Sequence, residues 1–423
     1  MKTQKNYLLV LLTVILAFNY TDRFALGIAL QSIKIDLQLS DTQLGFLSGI
    51  AFALFYSVMG IPIARWADRG NRAAIISLTA ALWSTVVALC GLARSFVQLM
   101  LIRVVVGVGE AGCVPPSLSL IADHFKRGER ARAVSIYMQG ISASLVIGYF
   151  AAGWLNQFYG WRAMFAMIGL PGLALALLAG ITLRDPRQMT AEIPPGSVAR
   201  PSMKEAAAAI WGSITFRHLL YSCAVNWFFF YGTLQWTPAF FVRSFGMSTG
   251  ALGSWFAVIY GVSSVLGTYL GGEWASRRAA GDEPLQLRAM AIVTCASGVL
   301  MALAFLPALA PNAYWAFAWI GLSNLAATMV NGPQFAVIQT VVPERMRATS
   351  IAFVYLFGNL IGLGLGPWVA GALSDALQLT AGQESLRYAM LLLCPGFVWS
   401  AWYLWSAAKT AARDVGIAAI GRI

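Results

Sequence analysis

Runs of about twenty apolar residues, separated by short basic punctuation, recur along the whole chain. About 20 such residues let a helix cross ~30 Å of hydrocarbon, where backbone groups find partners only inside a helix or a closed barrel. Twelve runs can be marked, at residues 7–33, 43–65, 73–94, 97–123, 132–157, 161–183, 217–243, 250–274, 287–310, 314–342, 348–374 and 387–408. They are numbered here as spans 1 to 12. Composition agrees, since 59% of the 423 residues are hydrophobic and 11% are charged, against roughly 25% charged in soluble proteins. An all-α polytopic membrane protein with twelve transmembrane helices is expected.

The net charge of +12 resembles a nucleic-acid signal until the basic residues are placed. Of the 29 Lys and Arg, 22 fall on one side of the spans, five on the other (Lys34, Arg94, Arg162, Arg243, Arg387) and two within them (Arg23, Arg103). That asymmetry is topological: it puts both termini in the cytoplasm and predicts no nucleic-acid partner. A plasma membrane or a bacterial inner membrane suits such a chain. The five cysteines lie inside apolar runs without CxxC spacing and read as small hydrophobes, so neither disulfide nor metal is expected. Lys2 and Lys5 precede an apolar run too long for a cleavable signal peptide.

The chain also repeats itself. Trp66-Ala67-Asp68-Arg69 after span 2 returns as Trp274-Ala275-Ser276-Arg277 after span 8. Glu129-Arg130-Ala131-Arg132 before span 5 returns as Glu344-Arg345-Met346-Arg347 before span 11. Echoes at about half the chain length, in equivalent loops, predict two pseudo-symmetric six-helix bundles, at 1–183 and 217–423. The linker 184–216 is expected to be irregular around its prolines, with an interfacial helix over 202–211.

Several motifs then point the same way. Asp68-Arg69-Gly70-Asn71-Arg72 resembles the acidic–basic loop signature of the major facilitator superfamily, with Ala64 in place of a usual glycine. Gly160-Trp161-Arg162 with Phe165 is a second similarity. Asn19-Tyr20-Thr21-Asp22-Arg23 and the Arg103–Ala111 stretch, with Gly107, Gly109 and Glu110, resemble the Spinster lineage of that superfamily. Bacterial organic-anion symporters carry similar pieces. The Spinster resemblance implies transport of sphingolipids or lysophospholipids, with importance for Asp22, Glu110 and Arg103.

The residues themselves add chemistry. Asp22, Arg23, Arg103 and Glu110 lie deep in apolar spans, where a charge costs at least ~2.5–3.5 kcal/mol and should face a cavity and a partner. Asp22 sits about 15 residues into span 1, ~22 Å along a helix and hence near the midplane. Arg103 and Glu110 are two turns apart on one face, about 10 Å, so either can meet span 1 instead. A neutralised pair that only fixes packing would be expected to repeat in the second half, and no mid-span counterpart does. Asp22 and Glu110 are therefore candidate proton carriers, because burial disfavours a charged carboxyl while a nearby guanidinium favours it. Arg103 is a candidate anchor for an anionic head group, and Arg23, counted with it among the substrate-site residues, is expected to organise Asp22. His124 and His218 lie at the span margins and are not expected to relay protons.

Asp68, Arg69, Arg72 and Arg130 are expected to form a conformational latch, the alternative being a plain orientation signal. Span 7 is crowded with aromatic residues around Asn226 and Gln235; Trp227 and Tyr231 are candidate substrate contacts, while some of the rings should face lipid. Asn331 on span 10 and Asn359 on span 11 extend the neutral polar set. Gly107-Val108-Gly109-Glu110-Ala111-Gly112 fits GxGxxG, but inside a span with no preceding strand it is no dinucleotide site. Asn19-Tyr20-Thr21, a formal glycosylation sequon, is rejected because it lies within span 1.

No nucleophile–base set or metal cluster is present, so no enzyme and no cofactor is expected. The expected function is proton-coupled secondary transport by alternating access, in a monomer. The substrate is an anionic or zwitterionic lipid-like amphiphile or, alternatively, a small organic anion such as a sugar acid or aromatic carboxylate.

Overall fold

The computed structural model describes residues 2–186, 211–343 and 346–420. Among these residues all regular structure is helical. Nine of the described helices are long and apolar enough to cross a membrane, and one of them, Arg132–Thr182, holds spans 5 and 6 together. Gly160, at φ 75°, is where those two spans part, in a backbone region that favours glycine. Ile214–Phe245 and Ala313–Thr340 are long enough as well. Their apolarity is diluted by Asn226, Gln235, Asn324 and Gln334. These helices supply all twelve spans.

The described chain divides into two compact units. The first takes in the residues up to 186 together with Gln235–Gly261. Within it Lys2–Leu37 packs along Arg127–Thr182, and Arg72–Cys90 packs on that helix and on Phe96–Glu110. Leu12, Leu16, Leu120, Ile121 and Tyr137 are buried in its core. The helix starts are specified locally: Ser40 forms a capping box with Gln43, and Asn71 and Ser95 accept from the backbone three residues on.

Four spans depart from the regular helices expected of them: span 2 breaks at Gly49, span 12 at Cys394, and spans 4 and 11 more extensively. Span 4 ends as a helix at Glu110, turns through 111–113, and restarts as Val114–His124. Pro115 and Pro116 occupy the first turn of that restart, where a missing N–H costs nothing. Span 11 runs as Arg347–Phe357, a π-helical segment Gly358–Leu365, and Gly366–Ala376.

The second unit takes in 211–234 and the described residues after Gly261. Glu283–Phe305 is its centre, packed on Ala313–Thr340 and on Pro395–Ile420. Paired hydroxyls stitch its helices together: Ser222 with Ser400 at 3.0 Å and Ser297 with Ser323 at 3.1 Å. Asn324 donates to Ser263 and Ser264 and is thereby committed to packing. Asp414 accepts from the Thr215 backbone and the Ser213 hydroxyl, capping span 7. Apart from Trp211, the interfacial helix expected over 202–211 lies outside the described residues.

Candidate substrate and proton site

The four mid-span charged residues of the first half pair across spans 1 and 4. Arg103 donates to Asp22 at 2.6 Å, and Arg23 donates through Nε and Nη2 to Glu110 Oε2 at 3.0 and 2.7 Å. Both pairs therefore cross between spans 1 and 4, and Arg23 takes Glu110, not the adjacent Asp22 it was expected to organise, because Asp22 is held by Arg103. Asp22 and Glu110 are fully buried, Arg103 is 1% exposed, and the Arg23 side chain 12%. Each carboxylate spends one oxygen on its arginine. Asp22 Oδ1 and Glu110 Oε1 have no donor.

Local structure explains the placement. Asp22 and Arg23 are consecutive on one regular helix, so their side chains leave it at different angles and reach two different partners. Glu110 is the last residue of its helix, directly before the 111–113 turn. Its helix comes unusually close to its neighbours: a methyl on Gly107 would lie 2.7 Å from the Phe52 carbonyl oxygen, and one on Gly109 2.9 Å from Trp83 Cβ. One on Gly112 would lie 2.3 Å from Thr79 Cγ2. The GxGxxG spacing thus serves close helix packing.

An aromatic cage around Arg23 escaped the sequence reading. Its guanidinium lies 4.1 Å from the Tyr20 ring centroid, 4.7 Å from Phe52 and 4.8 Å from Tyr56. Phe52 also receives Arg103, at 5.0 Å. The signal available was Phe52 and Tyr56 four apart on span 2, one helical turn, although nothing in that spacing names their cation. Asn19 was passed over as well. It is fully buried, with neither amide atom hydrogen-bonded, one turn before Asp22 and Arg23. An unsatisfied buried amide is costly and asks for an explanation.

The other candidates are scattered by comparison. Trp227 is edge-on to Tyr231 at 6.3 Å and to Tyr355 at 5.5 Å, and its ring occupies the space left by Gly358. Asn226 and Asn359 are half-buried and Asn331 is exposed, none with a side-chain hydrogen bond among the described residues. Gln235 lies in the first unit, 3.5 Å from where a Gly27 methyl would be. Trp236, Phe240 and Phe241 are fully buried, so this part of the aromatic crowd on span 7 packs inside rather than facing lipid.

Of the four loop residues, Asp68, Arg69 and Arg130 are exposed, and Arg130 donates to the Phe125 carbonyl. Arg72 is fully buried. It binds Asp185 through its backbone N–H and its guanidinium, Asp123 at 2.6 Å, and Ser119.

Residues 12–367 match the family model of the Major Facilitator Superfamily. An MFS-type efflux pump of Mycolicibacterium smegmatis is 31% identical over 386 residues, 90% of this chain and 87% of that protein. A hexuronate transporter of Bacillus subtilis is 26% identical, covering 89% of this chain and 90% of its own. Among solved structures, a bacterial homologue of the human lysosomal transporter Spinster, inward-facing and unoccupied, superimposes with a TM-score of 0.84. It is 29% identical over 98% of this chain and 99% of that one. A twelve-span helical chain whose mid-span charges converge in one half, and which matches over nearly its whole length, belongs to the Major Facilitator Superfamily, whose members are transporters and not enzymes.

Proposed function

We propose that the protein is a proton-coupled secondary transporter moving an anionic or zwitterionic lipid-like amphiphile by alternating access. The observation that carries this reading is the double ion pair Arg103–Asp22 and Arg23–Glu110, with one oxygen on each acid lacking a donor. Two carboxylates and two guanidiniums sum to zero charge, and both arginines are engaged by carboxylate. One proton added to the free oxygen of either acid leaves the quartet with a charge of plus one. That is the state in which an arginine can exchange its carboxylate for the anionic group of a substrate, and the planar fork of Arg103 suits phosphate or carboxylate. Proton and anion then enter the site together, and departure of the anion restores the ion pairs.

The lipid-like substrate rests on how unevenly polarity is distributed. Mid-span buried charge lies on spans 1 and 4, whereas Trp227, Tyr231, Asn226, Asn331 and Asn359 offer rings and neutral amides. A charged head with an apolar remainder fits that contrast. The similarity to the Spinster homologue agrees with it. The similarity to the hexuronate transporter favours a second reading, symport of a small organic anion, in which Arg103 clamps a carboxylate. The clustering of Lys and Arg in alternate loops supports cytoplasmic termini in a plasma or bacterial inner membrane. Exposed Asp68 and Arg69 are available for the latch role, which Arg72, committed inside its own unit, supports by fixing the loop.

Flux of labelled lysophospholipid and labelled hexuronate into proteoliposomes, with and without an imposed pH gradient, tests the proposal. Saturable lysophospholipid flux accelerated by the gradient is expected, with the acceleration lost in Glu110→Gln or Asp22→Asn. Hexuronate flux beside an inert lysophospholipid selects the second reading. Full gradient-driven flux of either substrate in both acid variants refutes the proton role of the pair.

A further inference from the structure

An apolar crevice of about 250 Å³ opens in the second unit, and none of its lining residues belongs to the charged quartet. It is lined by Gly271 and Trp274 of span 8, Ala289 and Ile292 of span 9, and Met329 and Pro333 of span 10, among others. Its origin is legible. Span 8 approaches span 10 so closely that a methyl on Gly271 would lie 2.0 Å from the Met329 carbonyl oxygen, while Gly272 has open space around it. Pro333, four residues after Met329, has no N–H for that carbonyl. Two helices thus touch at backbone level and leave no side chains to fill the space beside the contact. Ile292, on the rim, is 62% exposed.

Charge surrounds one end of this crevice only. Arg278 lies one helical turn beyond Trp274, and Arg288 one turn before Ile292, so each guanidinium is carried on the same helix face as a lining residue. The two helices run in opposite directions, which brings both arginines to the same end, that of the arginine-rich loops. Both are exposed, and among the described residues neither has an acidic partner; neighbouring Arg277 is paired with Glu273.

We infer that the crevice is a binding site for a membrane phospholipid with an anionic headgroup, one acyl chain lying against Trp274, Ala289 and Ile292 and the phosphate between Arg278 and Arg288. Basic pockets between transmembrane helices bind anionic lipid headgroups by this combination of apolar wall and guanidinium rim. The lipid is a resident of the bilayer and not the transported substrate, so the inference stands apart from the proposed transport reaction. Its role is to fill a gap that spans 8, 9 and 10 leave in their own packing.

The full chain, reconstituted in phosphatidylcholine vesicles, tests this with phosphatidylglycerol bearing brominated acyl chains, which quench nearby indoles. The Trp274 contribution is obtained by difference from Trp274→Phe. Brominated phosphatidylglycerol should quench that component at lower lipid fractions than brominated phosphatidylcholine does. Arg278→Gln and Arg288→Gln, at exposed positions, should each weaken the preference about fivefold. Ala289→Phe, which fills the crevice, should abolish the quenching. Equal quenching by the two lipids, or quenching unaltered by Ala289→Phe, would overturn the assignment.

Discussion

Asp68 and Arg72 flank one two-residue loop, at the end of one helix and the start of the next, and do opposite things. Asp68 is exposed, whereas Arg72 is buried against two aspartates and a serine from other segments of its unit. Removing one member of a buried charged network leaves the others desolvated and uncompensated, at a cost of about 3–5 kcal/mol. Arg72→Ala should therefore lower the thermal midpoint of the purified protein markedly, while Asp68→Ala should leave it within about 0.5 kcal/mol of wild type. If Asp68→Ala nonetheless slows transport, its role is conformational, because stability will have been held constant by the comparison. Equal loss of stability in both variants would show that the loop works as one structural unit. Sequence alone could not separate the two residues: both are charged, both lie in the same motif, and the partner Asp185 is 113 positions from Arg72.

The helices that carry the quartet are tuned by what they lack. Gly107 lets span 4 rest on the Phe52 carbonyl, one turn before Glu110, and Gly112 lets it rest on Thr79 just beyond. An added methyl must push the helix away, and overpacking of this kind costs about 1–3 kcal/mol. Gly107→Ala should thus reduce transport by displacing Glu110 relative to Arg23, with a smaller loss of thermal stability. Gly60→Ala, with no heavy atom within 4 Å of the new methyl, should be neutral in both assays. A wild-type transport rate in Gly107→Ala would mean the ion pair tolerates movement of its helix. At this scale the sequence was informative about apolar length and weak about interruptions. The twelve runs mark the spans because hydrocarbon thickness imposes a length on each. The turn after Glu110 and the π-helical stretch at Gly358–Leu365 leave the local apolar run unbroken, so hydropathy carries no trace of them. Pro115 and Pro116 were the available clue, since proline is at home in the first turn of a helix.

Across the whole molecule, the chain is partitioned by contacts and not by the order of its spans, and the segment Gln235–Gly261 carries the consequence. It comprises the end of span 7 and the start of span 8, yet it packs into the first unit. Arg243 grips Asp41 with two donors at 2.6 and 2.7 Å and donates to Gln31 at 2.6 Å, while Lys34, near the end of the Lys2–Leu37 helix, holds the same carboxylate. Beside it, Gly153 and Gly253 let two helices meet at backbone distance, and Tyr149 stacks on Tyr260 at 5.7 Å. Such a contact set reads as a clasp. If transport proceeds by alternating access, as proposed, the segment must leave spans 1, 2 and 5 once in each cycle. The charged part of the clasp is then a term in the equilibrium between states, where ~1.4 kcal/mol is a tenfold change in population. Arg243→Gln should raise the labelling rate of a single cysteine at Gly27, which faces Gln235 of the segment, by an impermeant maleimide applied to intact cells. Asp41→Asn should do the same, because it removes the other half of the pair. The double variant should add little beyond either single one, as expected when both act on one interaction. Additive acceleration would mean that Arg243 and Asp41 restrain the segment through separate partners, and unchanged labelling in all three would mean that the aromatic and glycine contacts alone keep it in place.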